Sequence, residues 1–203
     1  MPARCSTINE YINTTPLIFS FFDNFFQILD GAFDEGVAAV TVHGRTVDQR
    51  YVGASRWSFL REVKQHVGER TILGSGDLFT AGDCLEMIRQ TGVDGVTVAR
   101  GAIGNPWIFK RTERYLATGE LLPEPTVGEK VEVAIRHLHL SIRAKGEYKG
   151  VREMRRHLNA YVKGMRGEAR RELMTEEEPA RVEEILRGLL VQHEEISIEE
   201  VGW

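Results

Sequence analysis

Thr41-Val42-His43-Gly44-Arg45-Thr46 decides how this chain is read, together with two later stretches: Gly74-Ser75-Gly76-Asp77-Leu78 and Val98-Ala99-Arg100-Gly101-Ala102-Ile103-Gly104-Asn105-Pro106-Trp107. Each follows a short apolar or β-branched run, so each reads as a loop at the carboxyl end of a strand. Val37–Val42 is a continuous apolar run ending at His43, suited to a parallel strand covered on both faces. Thr71-Ile72-Leu73 and Gly95-Val96-Thr97-Val98-Ala99 supply two more strands. Strands alternating with helical patterns imply right-handed βαβ units. The expected fold is therefore α/β: a partial TIM (β/α) barrel, with functional residues at the carboxyl ends of its strands.

The helices between these strands have recognisable limits. Trp57, Leu60, Val63, Lys64 and Val67 follow helical spacing, and Gly68 stops the run. Thr80 and Asp83 form a capping-box pattern before a helix whose buried face is expected at Cys84, Leu85 and Ile88. Asn105-Pro106-Trp107 opens the next helix, with proline suited to its first turn.

From about residue 127 the pattern becomes helical throughout. Val131, Ile135, Leu138 and Ile142 share a face, and so do Val151, Met154, Leu158, Tyr161 and Met165. Along the other side of that second helix run Arg152, Arg155, Arg156, Lys163 and Arg166. Val182, Ile185, Leu186, Leu189 and Leu190 predict a further helix, announced by Thr175-Glu176-Glu177-Glu178-Pro179. Pro123 and Pro125 mark the linker. The expected organisation is a leader over 1–27, a barrel segment over 28–122 and a small all-α domain over 127–203.

Composition narrows the function classes. The chain has 203 residues, 42% of them hydrophobic, enough for a sizeable core. A net charge of −4 predicts no global attraction to nucleic acid, but leaves room for a local basic patch. The two cysteines, Cys5 and Cys84, form neither a disulfide framework nor a zinc pattern, and no metal is expected. No apolar run is long enough to span a bilayer. Residues 16–29 hold five of the nine phenylalanines. A nearly uncharged start and the interruption at Asp23-Asn24 argue against a signal peptide, leaving a packed helix or a foreign leader as readings.

The residue types at the strand ends suggest their chemistry. Gly76 and Gly101 would let backbone approach a ligand closely. Arg100 offers a permanent forked charge suited to phosphate. Asp77 can bond a hydroxyl or fix its loop as a turn. His43 can give or take a proton near neutrality. An HGR loop alone is commonly a turn with a surface arginine. The order and spacing of all three loops carry the argument.

Those loops resemble the tRNA-dihydrouridine synthases, bacterial type B most closely. The family writes HGRT, then NGD, then GRGA or GRAA with an NPW-type turn. This chain has His43-Gly44-Arg45-Thr46, Gly74-Ser75-Gly76-Asp77, and Ala99-Arg100-Gly101-Ala102 with Asn105-Pro106-Trp107. Gly150-Val151-Arg152-Glu153-Met154-Arg155-Arg156-His157 and Ala160-Tyr161-Val162-Lys163-Gly164 resemble the family's MRKH…WYLKG helix. The resemblance covers about residues 28–190.

It implies an FMN-dependent enzyme, with NADPH as reductant, that reduces the C5–C6 bond of specific tRNA uridines. It also implies a cytoplasmic monomer with no membrane attachment. The target base must leave the RNA fold to reach the flavin. Ser75, Gly76 and Asp77 would match one FMN loop, Ala99 and Arg100 the phosphate loop, and His43 the histidine near flavin and substrate. Arg45, Arg152, Arg155, Arg156 and Lys163 are assigned to tRNA, with the cofactor as the other partner open to Arg45. Two departures are local: Ser75 stands where the family has asparagine, and Ala99 where it has glycine. A larger one is the absence of the family's amino-terminal half, with its proton-donating cysteine and strand lysine. The chain is therefore expected to be a truncated form in which no catalytic residue is assigned, Cys84 being read as core packing. A non-catalytic remnant that keeps tRNA binding is the alternative. The HGRT loop and the basic helix speak against a dihydroorotate dehydrogenase relative.

Overall fold

The structure, a computed structural model, describes residues 20–49, 52–164 and 169–201, with backbone alone at 20–23 and 191–201. Its strands β1 (Ala39–His43), β2 (Thr71–Ser75) and β3 (Gly95–Val96) form a parallel sheet in that order. Ala39 pairs with Thr71 and His43 with Ser75, while Leu73 pairs with Gly95 and Gly74 with Val96. This register brings the ends of β1 and β2 level.

The described residues divide into two compact units. The first holds those up to Gly101 together with Ile108–Leu121, and the second holds Ala102–Trp107 and those from Leu122 onward. In the first, Val40, Val42 and Ile72 are buried on the sheet beneath two helices, α2 (Trp57–Val67) and α3 (Ala81–Thr91). Leu60 and Val63 of α2, with Cys84 and Met87 of α3, complete this core. The expected Leu85 and Ile88 are only half-buried. Met87 takes their place because Gly74 leaves room for it: a Cβ there would stand 2.7 Å from the Met87 sulfur. The Thr80–Asp83 capping box forms as expected, with Asp83 N donating to Thr80 Oγ1 at 3.1 Å and Thr80 N to Asp83 Oδ2 at 2.8 Å.

Helix α1 (Ser20–Asp34) runs across the boundary expected at residue 27 between leader and barrel segment. Phe25 and Leu29, one turn apart, are buried, and the Phe25 ring meets Phe59 of α2 edge-on at 5.1 Å. Asp30 lies 2.9 Å from the His66 ring nitrogen, and Asp34 3.0 Å from Arg70. Residues 1–19, including Cys5, lie outside the described residues.

Strand β3 is shorter than the five residues expected. Thr97 N still donates to Gly74 O at 2.8 Å, after which the backbone enters a single 3-10 turn at Arg100–Ala102. Helix α4 (Trp107–Thr118) follows, with Pro106 just before its first residue.

The second unit contains α5 (Val127–Lys145), α6 (Glu147–Tyr161), α7 (Ala169–Thr175) and α8 (Pro179–Val201). Thr126 and Glu129 form a capping box at the start of α5, and Pro179 is the first residue of α8. Its core joins Val131, Ile135 and Leu138 to Val151, Met154, Leu158 and Tyr161, and to Val182, Leu186 and Leu189. Ile142 and Leu190 pack at its edge. Helix α7 was not anticipated, and its single buried residue is Leu173. Met165 and Arg166 fall outside the described residues.

Candidate functional site

At the carboxyl end of the sheet, Asp77 is the hub. Its Oδ2 accepts from Arg45 at 2.6 Å and from the Ser55 amide at 2.8 Å, and its Oδ1 accepts from Arg100 at 2.8 Å. It has φ +56°, a left-handed conformation that aspartate tolerates better than most side chains. Burial opposes its ionisation, but the Arg45 and Ser55 hydrogen bonds and the two guanidinium charges outweigh it. The carboxyl is thereby held below its ordinary value.

Arg45, expected to face RNA or the cofactor, is 8% exposed and donates to Gly53 O at 2.7 Å as well as to Asp77. Its Nε and Nη1 are buried without a hydrogen-bond partner. A guanidinium enclosed in this way cannot meet a phosphate backbone at the surface. It ties the 46–55 loop to the end of β2.

The two glycines sit where the loops meet. A Cβ on Gly76 (φ +130°) would overlap the Ser55 hydroxyl, and one on Gly101 would overlap the Leu78 carbonyl oxygen. Their missing side chains let the loops pack directly against one another.

His43 stands at the rim. In register with Ser75, its Nδ1 lies 3.3 Å from the Ser75 hydroxyl. Desolvation and the charge of Arg45 push its pKa down, with a smaller push from Arg100 and opposition from Asp77. The imidazole is therefore neutral at pH 7. The Arg100 guanidinium lies 5.3 Å from the centroid of the Phe79 ring, a cation–π contact.

These side chains enclose one small cavity of ≈ 30 Å³. It is lined by all six residues expected to hold a cofactor: His43, Ser75, Gly76, Asp77, Ala99 and Arg100. Leu78, Phe79 and Thr97 complete the wall and were not foreseen. Ser55 was missed as well, since nothing in its local sequence signals that its amide would bond Asp77. The volume is about that of one water, enough for a hydroxyl or a single anionic oxygen. Cys84, 0% exposed on α3, takes no part, and burial pushes its thiol pKa up.

The basic residues of α6 separate into two sets. Arg155 donates to the carbonyls of Thr175 and Glu176 at 3.0 and 3.1 Å and lies 3.4 Å from Glu177. It holds the connection between α7 and α8. Arg152 lies 3.6 Å from Glu177 and covers the Tyr148 ring at 4.6 Å. Arg156 and Lys163 are exposed.

Among the described residues there is no group of acids, histidines and cysteines suited to a metal, and no helix long and apolar enough to cross a membrane. The class defined is an α/β protein with a charged, glycine-lined polar site at the carboxyl ends of parallel strands. Comparison with known proteins narrows this. The sequence profile of the dihydrouridine synthase (Dus) family matches residues 21–194. A probable tRNA-dihydrouridine synthase of Mycobacterium tuberculosis is 41% identical over 130 residues, 64% of this chain and 33% of the relative. Its Mycobacterium leprae counterpart is 42% identical over 131 residues, covering 64% and 34%. The tRNA-dihydrouridine synthase B of Xanthomonas campestris is 38% identical over 132 residues, covering 65% and 40%. The chain belongs to the dihydrouridine synthase family. It spans about a third to two fifths of the length of these curated relatives.

Proposed function

We propose that this chain forms the flavin-facing part of a tRNA-dihydrouridine synthase, with FMN as cofactor, NADPH as reductant and tRNA as substrate. The sheet with its helices would be the last three βα units of a (β/α) barrel, and the helices from residue 127 a tRNA-binding domain. We assign the enzyme to the cytoplasm as a monomer. One observation carries the reading: three loops distant in sequence bring His43, Ser75, Gly76, Asp77, Ala99 and Arg100 around one cavity.

The residues suit one end of the cofactor. Arg100, 38% exposed in its side chain, would neutralise the phosphate while Asp77 fixes its guanidinium. Arg45, buried against Asp77 and Gly53, would hold these loops in place behind the cavity rather than touch the cofactor. In the tautomer whose Nδ1 accepts from the Ser75 hydroxyl, the His43 Nε2 would carry the proton and could donate to a carbonyl oxygen of cofactor or uracil. FMN held there would supply the electrons that saturate the uridine C5–C6 bond. Arg156 and Lys163, exposed on α6, with Arg152 beside them, would contact tRNA phosphates.

The ≈ 30 Å³ cavity supports a second reading, a tRNA-binding protein without flavin chemistry. Flavin titration and turnover separate the two. Quenching of FMN fluorescence by the purified chain, with NADPH oxidation that depends on unmodified tRNA, is the expected result. A chain that leaves FMN fluorescence unchanged yet shifts tRNA in a gel would replace the enzyme by the binder.

A further inference from the structure

We infer that the groove between α5 and α8 is an RNA-phosphate-binding surface separate from the basic face of α6. This rests on the reading of tRNA as partner. The groove is open, ≈ 540 Å³ in volume, and its walls carry Arg136 and Arg143 from α5 and Arg187 from α8. Ile135 and Leu140 contribute an apolar floor, with Leu140 43% exposed.

Charge and spacing identify the occupant. Arg136 and Arg143 are two turns apart on one helix, so they project from the same side about 10 Å apart along the axis. Both are exposed, and among the described residues neither has an ion-pair partner. Arg187 is held 2.6 Å from Glu183, which also lies 2.9 Å from the His139 ring. Glu132 is the one carboxylate on the wall. The unpaired guanidiniums thus outnumber it, and the groove favours an extended polyanion. The α6 arginines contrast with this: Arg152 and Arg155 both face Glu177. An exposed leucine between two arginines suits a ribose-phosphate strand, whose sugar faces pack on apolar surface while phosphates meet guanidiniums.

The test is the affinity of the full chain for an unmodified tRNA transcript across a salt series. Arg136→Ala with Arg143→Ala is expected to weaken binding about tenfold or more and to flatten the log–log salt slope by about 1 to 2. Arg181→Ala with Arg114→Ala, a control of equal charge at paired surface sites, is expected to change affinity less than about threefold. Circular dichroism melting checks that every variant stays folded. Wild-type affinity and salt slope in the Arg136/Arg143 variant would overturn the groove while leaving the tRNA reading intact. Failure of the wild-type chain to bind any tRNA would overturn both. Binding of poly-glutamate but not tRNA, lost in the same variant, would make the partner an acidic protein and overturn the proposal.

Discussion

The two units use charge in opposite ways. At the strand ends of the first, charged groups turn inward: Arg45 is enclosed, Asp77 is shared between two guanidiniums, and the cavity they leave is small. In the second, the core of α5, α6 and α8 is apolar apart from the Tyr161 hydroxyl, and Arg136, Arg143 and Arg187 lie outside it around an open groove. An inward network fixes positions to fractions of an ångström and suits a small polar ligand. An outward array tolerates displacement and suits a long, flexible polyanion. The contrast is between Arg45, buried and paired so that it ties loops together, and Arg136 and Arg143, exposed residues proposed to have a docking role.

The largest effect that would sharpen this contrast is expected in the second unit. Leu158 is 0% exposed at the centre of its core. Leu158→Ala is expected to cost about 2–5 kcal/mol, through lost burial and the cavity left behind. Urea unfolding followed by far-UV circular dichroism would measure it, since this unit holds four of the eight α-helices among the described residues. A loss below about 1 kcal/mol would mean that this core is looser than its burial implies.

Next in size is the hub. Asp77→Asn keeps a residue that accepts the left-handed backbone, so it isolates the charge. The expected cost is about 2–3 kcal/mol, because Arg45 would lose its charged partner while still enclosed. FMN affinity should fall as well, since the fixing of Arg100 goes with the same carboxylate. Unchanged urea stability would show that Arg45 is held by Gly53 alone.

How far the sequence foretold each region follows the same division. The three strand-end loops were legible because glycine with histidine, aspartate or arginine follows an apolar run three times, in order and at regular spacing. The enclosure of Arg45 was not, because arginine is ordinarily exposed and its burial depends on Asp77, 32 residues away. Ser55 was invisible for a related reason: it contributes a backbone amide, which every residue type but proline possesses. The second unit's core was legible in Val131, Leu138, Met154, Leu158 and Leu186, since helical periodicity is local. Helix α7, seven residues with one buried leucine, shows too little periodicity to announce itself.

A smaller effect compares the units directly, because a capping box opens α3 in the first and α5 in the second. Thr80→Ala and Thr126→Ala each remove an acceptor for the amide of the third helical residue, at 3.1 and 3.2 Å. Each is expected to cost about 1 kcal/mol. The Thr126 variant should cost the more, because Thr126 Oγ1 also donates to Glu129 at 2.9 Å. Equal thermal shifts for the two variants would mean that this extra bond contributes nothing to stability.

The smallest effect is a pH dependence, and its sign follows from the histidines. In the second unit, the His137 and His157 rings lie 4.8 Å apart, with His137 Nδ1 3.4 Å from the Tyr161 hydroxyl. Burial lowers the pKa of both. For His137 the charges of His157 and Lys145 add to this, and for His157 those of Arg156 and Lys145. Below the unfolded value of about 6.5, the unfolded chain takes up protons that the folded pair resists. Stability is therefore full above that value and falls as the pH drops through it. His43 in the first unit has the same sign, but it stands at the rim and the Asp77 carboxylate opposes its shift. The acid loss should accordingly appear mainly in the second unit. Urea midpoints at about pH 7.5 and about pH 5.5 for the wild type and His157→Gln test this. The variant removes one histidine of the pair and relieves the other, and it leaves the exposed His139–Glu183 pair in place. Its midpoint is expected to change less between the two pH values than the wild type's. An equal change in both would locate the acid sensitivity outside this pair.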